Sequence, residues 1–199
     1  EVINDRVRDI LRVKFLVGLF DHPYQIDLKG ADEEVEKAAN EEIALQASRE
    51  SIVLLKNDKN ILPLDASGIQ KIAVCGPNAD EHSYALTHYG PLAVEVTSVL
   101  KGIQEKMKGK AEVLYTKGCD LVDANWPESE LIDYPLTDEE QKEIEKAVDQ
   151  AKQADVAVVV LGGGQRTCGE NKSRSSLDLP GRQLDLLKAV AATGKPVVL

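Results

Sequence analysis

Glu170 stands in a loop rich in glycine and in cations. The apolar segment Val156-Ala-Val-Val-Val-Leu-Gly162-Gly-Gly164 leads to Cys168-Gly-Glu170-Asn-Lys-Ser-Arg174-Ser-Ser-Leu-Asp-Leu-Pro180-Gly181. One carboxylate thus lies among Gly163, Gly164, Gly169, Arg166, Lys172 and Arg174. Glycines let a backbone come close to a ligand, and nearby cations shift the protonation of a carboxyl group. The pattern suits proton transfer or the binding of a polar ligand. The plainer alternative for a Glu in an acidic chain is a solvated loop acid.

The element that must hold this loop is a strand. Five consecutive apolar residues, Val156 to Val160, show no polar alternation, so both faces should be covered, as inside a parallel sheet. The glycines follow at its carboxyl end, the edge of an open α/β sheet where ligands bind. Spacing weighs against a nucleotide reading. Gly162 and Gly164 begin a G-x-G-x-x-G pattern, but Thr167 replaces the third glycine, and the next helix starts only near Gly181. No G-x-x-x-x-G-K-[ST] occurs.

The other reactive side chains form no recognisable constellation. His22, His82 and His88 lack zinc-binding spacing, so no metal site is expected, and His88 reads as a loop contact. Cys75, Cys119 and Cys168 are too few for a disulfide framework and read as buried or loop thiols, although each lies at or beyond the end of a predicted strand and a pair could meet at one sheet edge. The net charge of -10 argues against a phosphate-binding surface for nucleic acid. No apolar run approaches the roughly 18 residues needed to span a bilayer, and the first residues are not a signal peptide.

Along the chain, apolar spacing predicts a helix over residues 2–17 with Gly18 as its C-cap, a linker over 19–30, and a second helix over 32–49 capped by Asp32. A short strand is expected at 51–57, with a hairpin-like edge feature at 57–64. Strands at 71–76, 112–115 and 155–161 alternate with helices at 97–106, capped by Thr97, and at 137–153, opened by the capping box Thr137-Asp-Glu-Glu140. A helix at 182–192 leads to a last strand at 197–199 that stops early, as in a fragment. The irregular stretch 116–135, with Trp126 and Tyr134, has the length of a functional loop. This alternation specifies an α/β domain with a mostly parallel sheet and helices on both faces.

With that organisation, the residues resemble glycoside hydrolase family 3. The matching runs are Ala47-Ser-Arg-Glu-Ser-Ile-Val-Leu-Leu-Lys-Asn57 with Ile61-Leu-Pro-Leu64, Lys71-Ile-Ala-Val-Cys-Gly-Pro-Asn-Ala79, Ala154-Asp-Val-Ala-Val-Val-Val160 and Leu177-Asp-Leu-Pro-Gly-Arg-Gln-Leu184. Val7-Arg-Asp-Ile-Leu11 and Gly18-Leu-Phe20 look like the last helix of that family's N-terminal barrel. The resemblance implies residues 1–20 as the end of a (β/α)8-type barrel, 21–46 as a linker and helix, and 47–199 as a three-layer α/β sandwich cut short at its C-terminus.

The resemblance also implies an activity: part of a retaining, exo-acting, β-glucosidase-like β-glycosidase acting on terminal β-linked sugars. Glu170 matches the family's general acid/base, and the nucleophilic Asp lies in the barrel, upstream of residue 1. A general acid of this kind works with its pKa raised toward neutrality, about 5–5.5 Å from the nucleophile. Arg166, Lys172 and Arg174 are either substrate hydrogen-bond donors or braces, with bracing favoured for Arg174. Stacking on a sugar ring would fall to Trp126, Tyr89 or Tyr134. The implied partners are a β-glucoside or oligosaccharide and the chain's own barrel domain, without nucleic acid, membrane insertion, cofactor or metal. The family implies a periplasmic or secreted protein. The competing reading is a non-catalytic α/β module that binds a sugar or nucleotide through the Gly162 loop.

Overall fold

The computed structural model describes residues 1–23, 27–35, 37–82 and 96–199, which divide into two compact units, Glu1–Asn57 and Asp58–Leu199. Tyr89 and His88 lie outside the described residues.

In the first unit, α1 (Val2–Leu16) is laced by exposed Arg6–Asp9 and Arg8–Asp5 pairs. Gly18 closes it at φ +70°, with its own N–H donating to the Phe15 carbonyl and the Leu19 N–H to the Lys14 carbonyl. This is a Schellman ending, which requires the left-handed conformation that glycine adopts freely.

The single helix expected at 32–49 is instead two, α2 (Leu28–Val35) and α3 (Ala38–Ser51). The start comes earlier because Asp27, not Asp32, caps it, its Oδ1 accepting from the Gly30 N–H at 2.8 Å. The break comes at Lys37, whose backbone is extended at φ -58°, ψ 127°. Residues 52–57, expected as a strand, pair with no strand among the described residues, and the expected hairpin reduces to a turn at Asp58 and Lys59. Their apolar, β-branched composition suits a sheet, but a strand exists only where a neighbouring edge accepts its ladder bonds.

The second unit is built on a four-stranded sheet of order β2-β1-β3-β4, with β1 Lys71–Cys75, β2 Glu112–Thr116, β3 Val156–Val159 and β4 Val197–Val198. All pairings are parallel, with Ala73 opposite Leu114 on one side and Ala157 on the other. The crossovers are α4 (Val99–Met107), α5 (Asp138–Gln153) and α6 (Gln183–Ala191).

Both sheet faces are covered, as the uninterrupted apolar strands predict. Ile72, Val74 and Val156 pack with Leu100 and Met107 on the α4 side. Ala73, Cys75, Ala157 and Val159 pack with Ile144, Ala147, Ala151, Ala154, Leu186 and Val190 on the α5 and α6 side. Five residues of this second layer, Ala73, Ala147, Ala151, Ala154 and Ala157, are alanines at most 2% exposed. The result is the three-layer α/β sandwich expected.

Helix starts follow local chemistry. The Thr137 capping box forms, with Thr137 Oγ1 accepting from the Glu140 N–H and the Glu140 carboxylate accepting from the Thr137 N–H. The cap of α4 is Ser98 and not the expected Thr97, since Ser98 Oγ accepts from the Lys101 N–H while donating to Asp80 Oδ1. No helix among the described residues is long and apolar enough to cross a membrane.

Candidate functional site

The strand order reverses between β1 and β3: the chain leaves β1 through α4 on one face and β3 through α6 on the other. Loops parting at such a point leave a crevice outside the carboxyl ends of the strands. Gly76 and Asn78 border it from β1, and Gly162 to Gly164 from β3. The approach is tight. A Cβ on Gly76, whose φ is +112°, would lie 2.1 Å from the Val160 carbonyl oxygen, and one on Gly164 would lie 2.7 Å from Leu121 Cδ2. These glycines let the backbone come close to its neighbours, Gly76 to the Val160 backbone and Gly164 to the Leu121 side chain.

Past Val160, whose N–H donates to the Cys75 carbonyl at 2.8 Å and whose carbonyl accepts from the Asn78 N–H at 3.4 Å, the backbone pairing ends. The bonds beyond it come from side chains. The Gly162 N–H donates to Gln183 Oε1 at 2.8 Å, and Gln183 Nε2 donates to the carbonyls of Gly162 at 3.0 Å and Leu121 at 2.9 Å. Asn78 Nδ2 donates to the Gly163 carbonyl at 3.1 Å. The Thr167 and Cys168 N–H groups then fold back on the Gly164 carbonyl at 2.9 Å, while the Gly164 N–H donates to Thr167 Oγ1 at 3.0 Å.

Glu170 follows this turn, between two residues of the left-handed region, Gly169 at φ +125° and Asn171 at φ +62°. Two such positions on either side of Glu170 turn the backbone sharply at this residue. Glu170 is exposed and makes no hydrogen bond or ion pair with the described residues. Arg166 is likewise exposed and makes no ion pair with the described residues. A carboxyl group on a braced loop, on the ligand edge of the sheet, can exchange a proton with a molecule bound there.

Arg174 makes its contacts with residues other than Glu170. Its guanidinium pairs with Glu130, donates to the Asp178 carbonyl at 2.8 Å, and lies 5.2 Å from the centre of the Trp126 ring. The Ser175 N–H and hydroxyl donate to Glu130 Oε2 at 2.9 and 2.8 Å. These bonds hold the Glu130 carboxyl below the usual carboxylate range, the Ser175 N–H contributing most. The bracing role expected for Arg174 is therefore observed, and it docks the Glu170 loop onto the Trp126 loop. Trp126 is half-buried, with the Arg174 cation at its ring. Tyr134 contributes its carbonyl, which accepts from Arg182 Nη1 at 2.8 Å.

Glu130 and Gln183 were not singled out from the sequence. A Gln at the first turn of an amphipathic helix reads as a solvated residue, and the one available signal was its place in the Leu177–Leu184 run. Glu130 is a carboxylate in an acidic loop with a partner 44 residues away. Cys75 and Cys119 are free and buried, their thiols pushed up to about 12 by desolvation, and Cys168 is free and exposed. No group of three His, Cys, Asp or Glu side chains among the described residues could hold a metal ion.

A family description, the glycosyl hydrolase family 3 C-terminal domain, matches residues 52–199. The chain belongs to glycosyl hydrolase family 3. Among its family 3 relatives, a beta-xylosidase of Formosa agariphila is 38% identical over 99% of this chain and 26% of its own length. A periplasmic beta-glucosidase of Salmonella typhimurium is 36% identical over 99% of this chain and 27% of its own length. A solved β-glucosidase of Erythrobacter marinus superposes with a TM-score of 0.75 at 33% identity, covering 94% of this chain and 26% of that structure. Another, a β-glucosidase of intestinal bacteria involved in saponin metabolism, gives 0.81 at 33% identity, covering 98% and 29%. The chain thus spans about a quarter of the length of the curated relatives it matches.

Proposed function

We propose that this chain supplies the general acid/base of a retaining, exo-acting β-glycosidase, with Glu170 in that role and the nucleophilic Asp in a barrel domain outside these residues. The observation that carries the reading is the exposed carboxylate of Glu170, presented by a double left-handed turn at the carboxyl edge of β3. In the first half-reaction the Glu170 proton passes to the leaving oxygen as the C1–O bond breaks and the nucleophile bonds to C1. In the second, Glu170 takes a proton from water, whose oxygen bonds to C1 as the enzyme–sugar ester breaks, and both carboxyl groups return to their starting states.

Residues 1–20 are read as the last barrel helix, 21–46 as linker and helix, and 47–199 as sandwich. Arg166 and Trp126 are the proposed sugar contacts among the described residues, with Tyr89 as a third. Arg166 has a guanidinium available for hydroxyl groups, and Trp126 a half-buried ring beside the Glu170 loop. The relatives include both a beta-xylosidase and a beta-glucosidase, so glucosides and xylosides are both candidate substrates. A periplasmic or secreted location is supported by the relative named periplasmic. The alternative of a non-catalytic sugar- or nucleotide-binding module is not favoured, since the relatives named here are glycosidases.

The test is turnover by the full-length protein of aryl and alkyl β-glucosides and β-xylosides, with wild type beside Glu170→Gln. The variant is expected to lose alkyl glycosides almost entirely, to retain aryl glycosides with good leaving groups, and to recover rate on them with azide. Undiminished turnover of alkyl glycosides by Glu170→Gln would remove Glu170 from the role.

A further inference from the structure

We propose that Gln183 is the positioning residue that fixes the base of the Glu170 loop, acting on catalysis through Glu170 and not on the fold alone; the proposal rests on the acid/base reading given above. Gln183 is fully buried, an uncommon state for a glutamine, and its carboxamide spends both N–H groups and its oxygen on backbone. Two of those bonds meet the N–H and the C=O of the same residue, Gly162, as a neighbouring strand would. They begin two residues beyond Val160, where the backbone bonds of β3 to the β1 segment end with the Asn78 N–H on the Val160 carbonyl. The third bond goes to Leu121, in the loop after β2. One side chain at the head of α6 thus ties together the loops after β2 and β3 on the sheet's ligand edge.

The consequence for Glu170 follows from what lies between. From Gly164 to Cys168 the loop is closed on itself by the bonds of Thr167 and Cys168 to Gly164, and Asn78 Nδ2 holds the Gly163 carbonyl at 3.1 Å. A displacement at Gly162 is thereby passed toward Glu170 through a hydrogen-bonded segment. Arg174 and Ser175 hold the far side of the loop on Glu130. Gln183 holds the near side.

The experiment is a double-mutant cycle in the full-length protein with Gln183→Met, Glu170→Ala and the two combined, assayed on alkyl and on dinitrophenyl β-glycosides. Methionine keeps the length and volume of the side chain and removes its hydrogen bonds. Gln183→Met is expected to lower kcat on alkyl glycosides at least roughly tenfold more than on dinitrophenyl glycosides, as a misplaced acid would. In the Glu170→Ala background the same substitution is expected to have almost no effect. Equal losses on both substrates, or an unchanged loss without Glu170, would assign Gln183 a purely structural role and overturn the proposal. If Glu170→Ala itself shows no dependence on leaving group, the acid/base reading fails, and this proposal with it. Leaving-group dependence in Glu170→Ala but not in Gln183→Met sinks this proposal alone. Should Gln183→Met not accumulate folded, Gln183→Asn, one methylene too short to reach Gly162 and Leu121 together, takes its place with the same outcomes.

Discussion

The Arg174 guanidinium and the Glu130 carboxylate, 44 positions apart in sequence, form an ion pair nearly closed to solvent, their side chains 21% and 8% exposed. It joins the loop after β2 to the loop after β3 on the edge of the sheet where Glu170 stands. Since Arg174 also packs on Trp126 and binds the Asp178 carbonyl, its removal frees several contacts together. Arg174→Ala is expected to reduce kcat on alkyl glycosides by roughly ten- to a hundredfold through displacement of the Glu170 loop. Arg174→Lys should recover little of it, because an ammonium cannot reproduce the planar fork or the stacking. Steady-state kinetics on both variants checks this, and full activity in Arg174→Lys would mean that charge alone suffices.

Acid should loosen the same contact. Glu130 is held below its ordinary value of 4.5 in the folded protein, so as pH falls the unfolded chain takes up this proton first. The stabilisation is fully present above about 4.5 and is lost as pH falls through the depressed folded value. Asp155, held low chiefly by the Lys71 and Gln70 N–H groups, contributes with the same sign. Wild type should melt at a higher temperature than Glu130→Gln at neutral pH, and the gap should narrow below about 4.5. Thermal melts across that range decide it, and a gap that is constant with pH would show that the carboxylate charge is immaterial.

The three thiols should separate by reactivity. Desolvation keeps Cys75 and Cys119 protonated up to about 12 and out of contact with reagent, whereas Cys168 is exposed. Brief alkylation of the native protein at neutral pH, followed by peptide mapping, is expected to mark Cys168 and leave the other two until denaturant is added. Labelling of Cys75 in the native state would place β1 in a far more open environment.

Two backbone sites allow stability predictions of different size. Thr137→Ala removes one cap bond of α5 and should cost about 1 kcal/mol. Gly76→Ala forces a Cβ against the Val160 carbonyl at a positive φ and should cost at least about 2 kcal/mol. Chemical denaturation gives both, and a Gly76→Ala variant as stable as Thr137→Ala would mean that the β1–β3 junction relaxes readily.

What the sequence made legible was whatever depends on near neighbours. The unbroken apolar run from Val156 announced a strand covered on both faces, and Thr137 with Glu140 announced where α5 begins. Signals with two equivalent readings were resolved wrongly: Thr97 and Ser98 are both good caps, and only the Asp80 bond distinguishes Ser98. Residues 52–57 have strand composition, but whether an edge receives them is decided elsewhere in the molecule. The Glu170 loop stood out as a candidate because glycines and cations cluster around it. Its supports could not, because Glu130 and Gln183 act across long sequence separations and look like ordinary polar residues.

The five alanines between α5 and the sheet carry a consequence for anyone altering this domain. Ala147 and Ala151 on α5, Ala154 just beyond it, and Ala73 and Ala157 on the strands leave no side-chain volume to trade, so a larger residue at any of them has nowhere to go. Each enlargement should cost roughly 1–3 kcal/mol, and a paired reduction offers no rescue, since glycine is the one smaller choice and weakens helix and strand alike. In directed evolution this seam is a region to hold constant, and diversity is better placed in the loops of the ligand edge, which the seam carries without sharing their sequence.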